Sequence, residues 1–185
     1  MIRAVLGIDL PAEVRGALQV QQFLLPLPRK VDPDQLHLTL VFLGDCPEPT
    51  LDAVHFALED LRAASFSIAV QGLGLFGKAR PHTAWAGITP SAPLLRIQAK
   101  VESIARRAGC PLDARKFTPH VTLGHFPPPA PPDRARLERA VVMGAGFRTQ
   151  PWLVDRVVLW QSQPHASGTR HEVLARYPLV PPPAA

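Results

Sequence analysis

Two segments of this chain alternate apolar and polar residues in the same order, and they restrict its fold more than any other feature. One is His37-Leu38-Thr39-Leu40 and the other His120-Val121-Thr122-Leu123, each an H-x-T-x string, 83 positions apart (120 minus 37). Side chains alternate across a strand, so His37 and Thr39 share one face while Leu38 and Leu40 share the other. His120 and Thr122 stand in the same way against Val121 and Leu123. Each segment therefore reads as a strand with one face on a hydrophobic core and a His/Thr face in solvent or in a cleft. Laid side by side near the middle of a sheet, two such strands bring two imidazoles and two hydroxyls together.

The rest of the chain supplies the elements around them. Residues 4–8 read as a buried strand, and Pro11 as the first residue of a helix to about position 24, with Val14, Leu18, Phe23 and Leu25 as its apolar face. A helix over 50–64 is expected from Thr50 as N-cap, with Leu51, Val54, Leu58 and Leu61 on one face. Strands are expected over 36–43, 66–70, 83–88, 120–126, 153–160 and 172–177. The Gly-rich stretch 72–77 reads as a turn, and Ser167-Gly168 as part of a polar loop. Further helices are expected over 91–107, capped by Ser91 and closed by Gly109, and over 133–142. Strands that pair as hairpins, mixed with helices, favour α+β over a doubly wound parallel sheet. Each H-x-T-x strand is followed by a proline-containing turn and a helix, which suggests two lobes built alike. The chain has 22 prolines, and their clusters mark connections and a tail. We expect one two-lobed domain over 1–180 and a Pro-rich tail over 181–185, the sheets being antiparallel-rich with helices outside a central cleft.

Composition narrows the class. At 185 residues and 46% hydrophobic the chain is long enough for a real core, and its net charge of +5 is compatible with a polyanionic ligand. Cys46 and Cys110 make no C-x-x-C, which argues against a zinc ribbon or disulfide scaffold and suits a reducing cytoplasm. No apolar stretch approaches the roughly 20 residues that span a bilayer, and Asp9 interrupts the opening too early for a signal peptide. Residues 72–77 lack the lysine and spacing of a P-loop. The expectation is a cytoplasmic monomer, without cofactor or metal.

Two H-x-T-x strands carry a definite chemistry. Histidine's ordinary pKa of about 6.5 lets it donate or accept a proton near neutrality. One neutral imidazole can take a proton from water while the other, as imidazolium, protonates a leaving oxygen. General acid–base catalysis contributes roughly 10²–10⁴-fold. The threonine hydroxyls can donate to the non-bridging oxygens of a phosphate as phosphorus becomes five-coordinate. That set suits hydrolysis of a strained cyclic phosphodiester, with His37 and His120 as the catalytic pair and no metal required.

At this point the sequence resembles a known group, the two-histidine phosphoesterases, and within it the RNA 2',3'-cyclic phosphodiesterases, also called 2'-5' RNA ligases. The likeness rests on Val5-Leu6-Gly7-Ile8-Asp9-Leu10-Pro11, Leu36 to Gly44, Leu75-Phe76-Gly77 with Pro81 and Trp85-Ala86-Gly87, Phe117 to Leu123, and Ser162 with Gly168. The resemblance implies a bilobal α+β fold around a cleft and a reaction on an RNA end that leaves a 2'-phosphate. It implies His37 as acid for the leaving 3' oxygen, His120 as base for water, Thr39 and Thr122 on the phosphate, and Phe42 on a base or ribose. This chain departs from the pattern twice. His125 stands where the family usually has an arginine, five residues after the second histidine, so either His125 does that work or Lys116, Arg115 or another basic residue covers it. His171 stands where a tyrosine is usual.

Some readings stay open from the residues alone. In a regular strand the fifth residue after a histidine points to the opposite face, so His125 reaches the cleft only through a bend, a bulge or a strand end. Phe42 meets the same obstacle and reads more simply as core. His55, His82, His165 and His171 read as surface or loop residues, Trp85, Trp152 and Trp160 as core aromatics, and the cysteines as inert. Other functions that fit are reversible 2'-5' RNA ligation, a phosphodiesterase for another cyclic or 2'-5'-linked nucleotide, and a non-catalytic RNA-end binding protein.

Overall fold

The computed structural model describes residues 1–114, 116–166 and 168–181. Its strands are β1 (Ile2–Asp9), β2 (His37–Cys46), β3 (Phe66–Ile68), β4 (Val70–Phe76), β5 (Thr83–Ile88), β6 (His120–His125), β7 (Trp152–Val154), β8 (Arg156–His165) and β9 (Gly168–Pro178). The helices are α1 (Ala12–Leu24), α2 (Glu48–Glu59), α3 (Ala92–Arg107) and α4 (Pro131–Met143). Seven strands form one sheet in the order β4-β5-β6-β2-β1-β8-β9, and β3 pairs with β7 in a second, two-stranded sheet. All named strand pairs are antiparallel. The expected α+β class is what the chain adopts, with sheets of very unequal size.

The two H-x-T-x strands, β2 and β6, are the middle neighbours of the large sheet and meet at the pair Leu38↔Val121. These two residues are themselves 83 apart, so a local twofold relating the motifs passes through their pair. Leu38 and Val121 are fully buried, and they join one core cluster with Leu6, Ile8, Leu43, Leu123 and the apolar stripes of all four helices. The opposite face of the sheet carries His37, Thr39, His120 and Thr122, each half-buried.

Several expectations are corrected at the element scale. Pro11 caps α1 from outside instead of opening it. The buried face of α1 is Val14, Leu18 and Gln22, an i, i+4, i+8 stripe that leaves Phe23 80% exposed. Helix α2 starts at Glu48, not after Thr50, because Pro49 suits the first helical turn, and it ends at Glu59. Most of the Gly-rich stretch is strand β4: Gly72, at φ +75°, sits where the pairing with β5 shifts register, and the segment continues as ladder to Phe76. The strand expected over 153–160 is split between β7 and β8, which belong to different sheets. The polar loop is part of a hairpin in which β9 already begins at Gly168; Ser167 and Arg115 lie outside the described residues, as does most of the 181–185 tail. No helix among the described residues is long and apolar enough to cross a membrane.

Candidate active site

Each catalytic candidate is anchored in the same way. His37 Nδ1 lies 2.8 Å from the Gln35 carbonyl and His120 Nδ1 lies 2.6 Å from the Thr118 carbonyl. A carbonyl only accepts, so both rings carry hydrogen on Nδ1 and present Nε2 to the open face of the sheet. The two carbonyls come from positions two before each histidine, again 83 residues apart. Thr39 Oγ1 lies 3.0 Å from His37 Nε2, so in the free protein this hydroxyl occupies the working nitrogen.

Aromatic rings flank both imidazoles. Trp160 of β8 stands 5.1 Å from His37, and Phe76 of β4 stands 4.9 Å from His120, centroid to centroid. Trp85 lies 6.3 Å from His120 and 5.3 Å from Phe76. Two glycines make room for the tryptophans. A Cβ on Gly7 would come within 3.0 Å of the Trp160 ring and 2.3 Å of the Leu38 carbonyl oxygen, and one on Gly74 within 2.1 Å of the Trp85 ring. Trp152 is the core aromatic expected. Trp160 is also buried but doubles as a wall of the site, and Trp85 is half-buried beside His120; pattern reading missed both, along with Phe76.

Bulges bring the two i+5 residues onto the site face. Residues directly opposite in an antiparallel pair project to the same side. Gly7 pairs with Thr39 and Val5 with Phe42, although two residues separate the first pair on β1 and three on β2. The ladder of β1 with β8 runs unbroken over these positions, so the extra residue lies in β2 and Phe42 shares the face of Thr39. Leu40 and Val41 are both buried in the core, and Phe42 is 55% exposed. In β6, Trp85 pairs with Thr122 and Thr83 with His125, again two positions against three. His125 therefore shares the face of Thr122 and His120. The core reading of Phe42 is overturned, and the parity obstacle to His125 is removed.

The β6 bulge is held by its surroundings. The Leu123 carbonyl accepts from the Val31 backbone N–H at 2.9 Å and from the buried Gln22 amide at 2.8 Å. Gly124 admits the Arg29 carbonyl, which a Cβ would meet at 2.3 Å. His125 Nδ1 lies 2.9 Å from Thr83 Oγ1. The alternative cations fall differently: Lys116 is exposed on the loop before β6.

His171 also belongs to the site. Its ring meets His37 edge-on at 4.6 Å, its Nδ1 lies 3.0 Å from Ser162 Oγ, and its backbone N–H donates to Gln35 Oε1. Because Gln35 supplies the carbonyl that anchors His37, β9 braces the first imidazole from behind. A pocket of about 180 Å³ opens there between His37, Trp160, His171, Arg15 and Arg176. By contrast His55 hydrogen-bonds Tyr177 and lies on the helix side of the fold.

Electrostatics follow from packing. Burial lowers the pKa of His37, opposed by its bond to Gln35 and reinforced by His120. Burial also lowers that of His120, against the Thr118 carbonyl. His125 is lowered by burial, then by His82 and His120, and His171 is driven down to about 4 by burial and then by His37. The free site thus favours neutral imidazoles, with His120 opposing charge on His37 and His125, and His37 opposing it on His171. An arriving anion reverses that balance and favours protonation. Among the described residues, no group of three or more His, Cys, Asp or Glu side chains could hold a metal ion.

Comparison with known proteins identifies the family and the fold. Residues 11–166 match the family described as the 2'-5' RNA ligase superfamily. A Geobacillus stearothermophilus protein named RNA 2',3'-cyclic phosphodiesterase is 28% identical over 162 residues, 86% of this chain; the match spans about half, 50%, of that relative's length. An Escherichia coli protein of the same name is 29% identical over 182 residues, covering 96% of this chain and 97% of the relative. The crystal structure of E. coli LigT complexed with 3'-AMP superposes with a TM-score of 0.82 at 28% identity, over 96% of this chain and 98% of that one.

Proposed function

Because the chain belongs to the 2'-5' RNA ligase superfamily, we propose that it hydrolyses terminal RNA 2',3'-cyclic phosphates to 2'-phosphomonoesters, using two histidines and no metal. The observation that carries this reading is the matched pair of imidazoles on neighbouring central strands, each fixed through Nδ1 to a carbonyl with Nε2 turned to the open face, where that of His37 meets the Thr39 hydroxyl. The names of the relatives support the substrate class.

In this mechanism the cyclic phosphate settles over the β2–β6 seam between His37 and His120. Its negative charge raises both imidazole pKa values from their depressed level, so the pair takes up one proton. Thr39 turns its hydroxyl from His37 Nε2 to a non-bridging oxygen, which frees that nitrogen, and Thr122 donates from the other strand. Neutral His120 accepts a proton from the attacking water through Nε2. His37, as imidazolium, delivers its Nε2 proton to the leaving 3' oxygen, and the P–O3' bond breaks as the bond to water forms. His125 donates to the phosphate from the Thr122 side, and Phe42 and Trp160 offer apolar surface for the ribose and base on the His37 side. The substrate is then an RNA or oligonucleotide end.

Incubation of the purified protein with chelator and a nucleoside 2',3'-cyclic phosphate tests the reading. Release of the 2'-monophosphate is expected. A 3'-monophosphate would reverse the assignment of the leaving oxygen, a need for added metal would remove the mechanism, and binding without turnover would leave an RNA-end binding protein.

A further inference from the structure

We propose that the Thr83 hydroxyl, clasped between His82 and His125, fixes the hydrogen of a neutral His125 on Nε2 and so makes that ring a phosphate donor without requiring it to be charged. This rests on the proposed placing of the phosphate over the face of His120, Thr122 and His125. Thr83 Oγ1 lies 2.9 Å from His82 Nδ1 and 2.9 Å from His125 Nδ1. Thr83 is only 3% exposed, so solvent does not compete for its hydroxyl.

A threonine hydroxyl can accept twice but has one hydrogen to give, and with Thr83 buried between the two rings that hydrogen is satisfied only where one Nδ1 accepts it. His82 is exposed and free to hold hydrogen on Nδ1 in either charge state. When the His82 Nδ1–H donates to Oγ1, the hydroxyl hydrogen is left for His125 Nδ1. The chain runs His82 to Thr83 to His125, Nδ1 of His125 is an acceptor, and the remaining hydrogen of a neutral ring stands on Nε2. The opposite polarity would aim a lone pair at the phosphate, so an arriving anion selects the first.

The need for such a device follows from the neighbours. The titratable groups facing His125 are His82, just before β5, and His120 on its own strand; burial opposes a positive charge on it, and so do both of these. An arginine at this position would keep its charge and its donors regardless. An imidazole held neutral donates outward only in one of its two tautomers, and the Thr83 hydroxyl selects it. Thr83 is thus a positioning residue for phosphate, one strand removed from the motif.

Nitrogen-15 NMR of the imidazoles with adenosine 2'-monophosphate bound, at a pH where His125 is neutral, reads the tautomer directly. The expected result is hydrogen on Nε2 and a bare Nδ1 for His125. Thr83→Val should shift that ring toward the other tautomer and weaken binding of adenosine 2'-monophosphate roughly three- to tenfold, the range of one neutral hydrogen bond; Thr83→Ser should restore both. Hydrogen on Nδ1 in the wild-type complex would overturn the proposal. So would wild-type affinity in Thr83→Val beside a weakened His125→Ala. Unchanged affinity in His125→Ala would instead show that the phosphate is not where the proposed function puts it.

Discussion

At the scale of the residue, roles follow from which ring nitrogen a backbone carbonyl takes and which it leaves facing the site. His37 and His120 keep Nε2 available because a backbone carbonyl takes Nδ1, so His37→Ala or His120→Ala should each lower turnover at least roughly 10²-fold in a product-release assay. Thr39→Ala or Thr122→Ala removes one hydrogen bond to a charged group, worth about 1.5–3 kcal/mol, and should lower kcat roughly 10–150-fold. His171 makes a prediction about stability instead. Its folded pKa of about 4 lies below the ordinary 6.5, so the unfolded chain binds more protons between those values. Its contribution to stability is full above pH 6.5 and is lost as pH falls toward 4. Thermal unfolding across that window should show the decline, and His171→Phe should flatten it. The shared face of His37, Thr39, His120 and Thr122 was legible in the sequence because strand alternation alone sets them opposite the buried Leu38 and Val121. His171 and Trp160 were not, since their proximity to His37 is made by β8 and β9, over a hundred positions away in the chain.

At the scale of the element, strand periodicity served well until it met a bulge. Alternation located β2 and β6 and their core faces, but period two put Phe42 and His125 on the wrong side. One extra residue in each strand reverses that, and no local pattern announces it. In β6 the signal is distributed over Gln22, Arg29, Val31 and Gly124, which close around the Leu123 carbonyl. Gly124→Ala should therefore act on fold and site together. Its Cβ would meet backbone, not a movable side chain, so about 1–3 kcal/mol of stability should be lost, with a rise in KM as His125 turns away. Chemical denaturation and steady-state kinetics on the one variant check both. The Gly-rich stretch misled for a related reason: Gly72 and Gly74 serve a register shift and a tryptophan ring inside β4, where glycine commonly marks a turn.

At the scale of the whole molecule, the spacing of 83 is written into the backbone. It relates the two histidines, the two anchoring carbonyls of Gln35 and Thr118, and the buried pair Leu38 and Val121 at the centre of the sheet. The motif predicted that two strands meet, and the amphipathic stripes of 50–64 and 91–107 predicted helices to cover them. The strand order was beyond local pattern, because sheet neighbours such as β1 and β8 lie about 150 residues apart in the chain. Leu38→Ala opens a cavity at the seam and should lower unfolding free energy by about 2–5 kcal/mol, measured by urea titration.

The central claim is that the imidazoles meeting across this seam act on one phosphorus in opposite proton states. The pH dependence of kcat/KM for a 2',3'-cyclic phosphate, in the wild type and in each single histidine variant, measures it most directly. A base must be neutral and an acid protonated, so the wild-type profile should be a bell. Both pKa values are depressed in the free protein, so the bell should lie on the acid side of 6.5. Residual activity in His120→Ala should lose the rising limb, and in His37→Ala the falling limb. A bell that keeps both limbs in either variant, or wild-type turnover in either, would contradict the account.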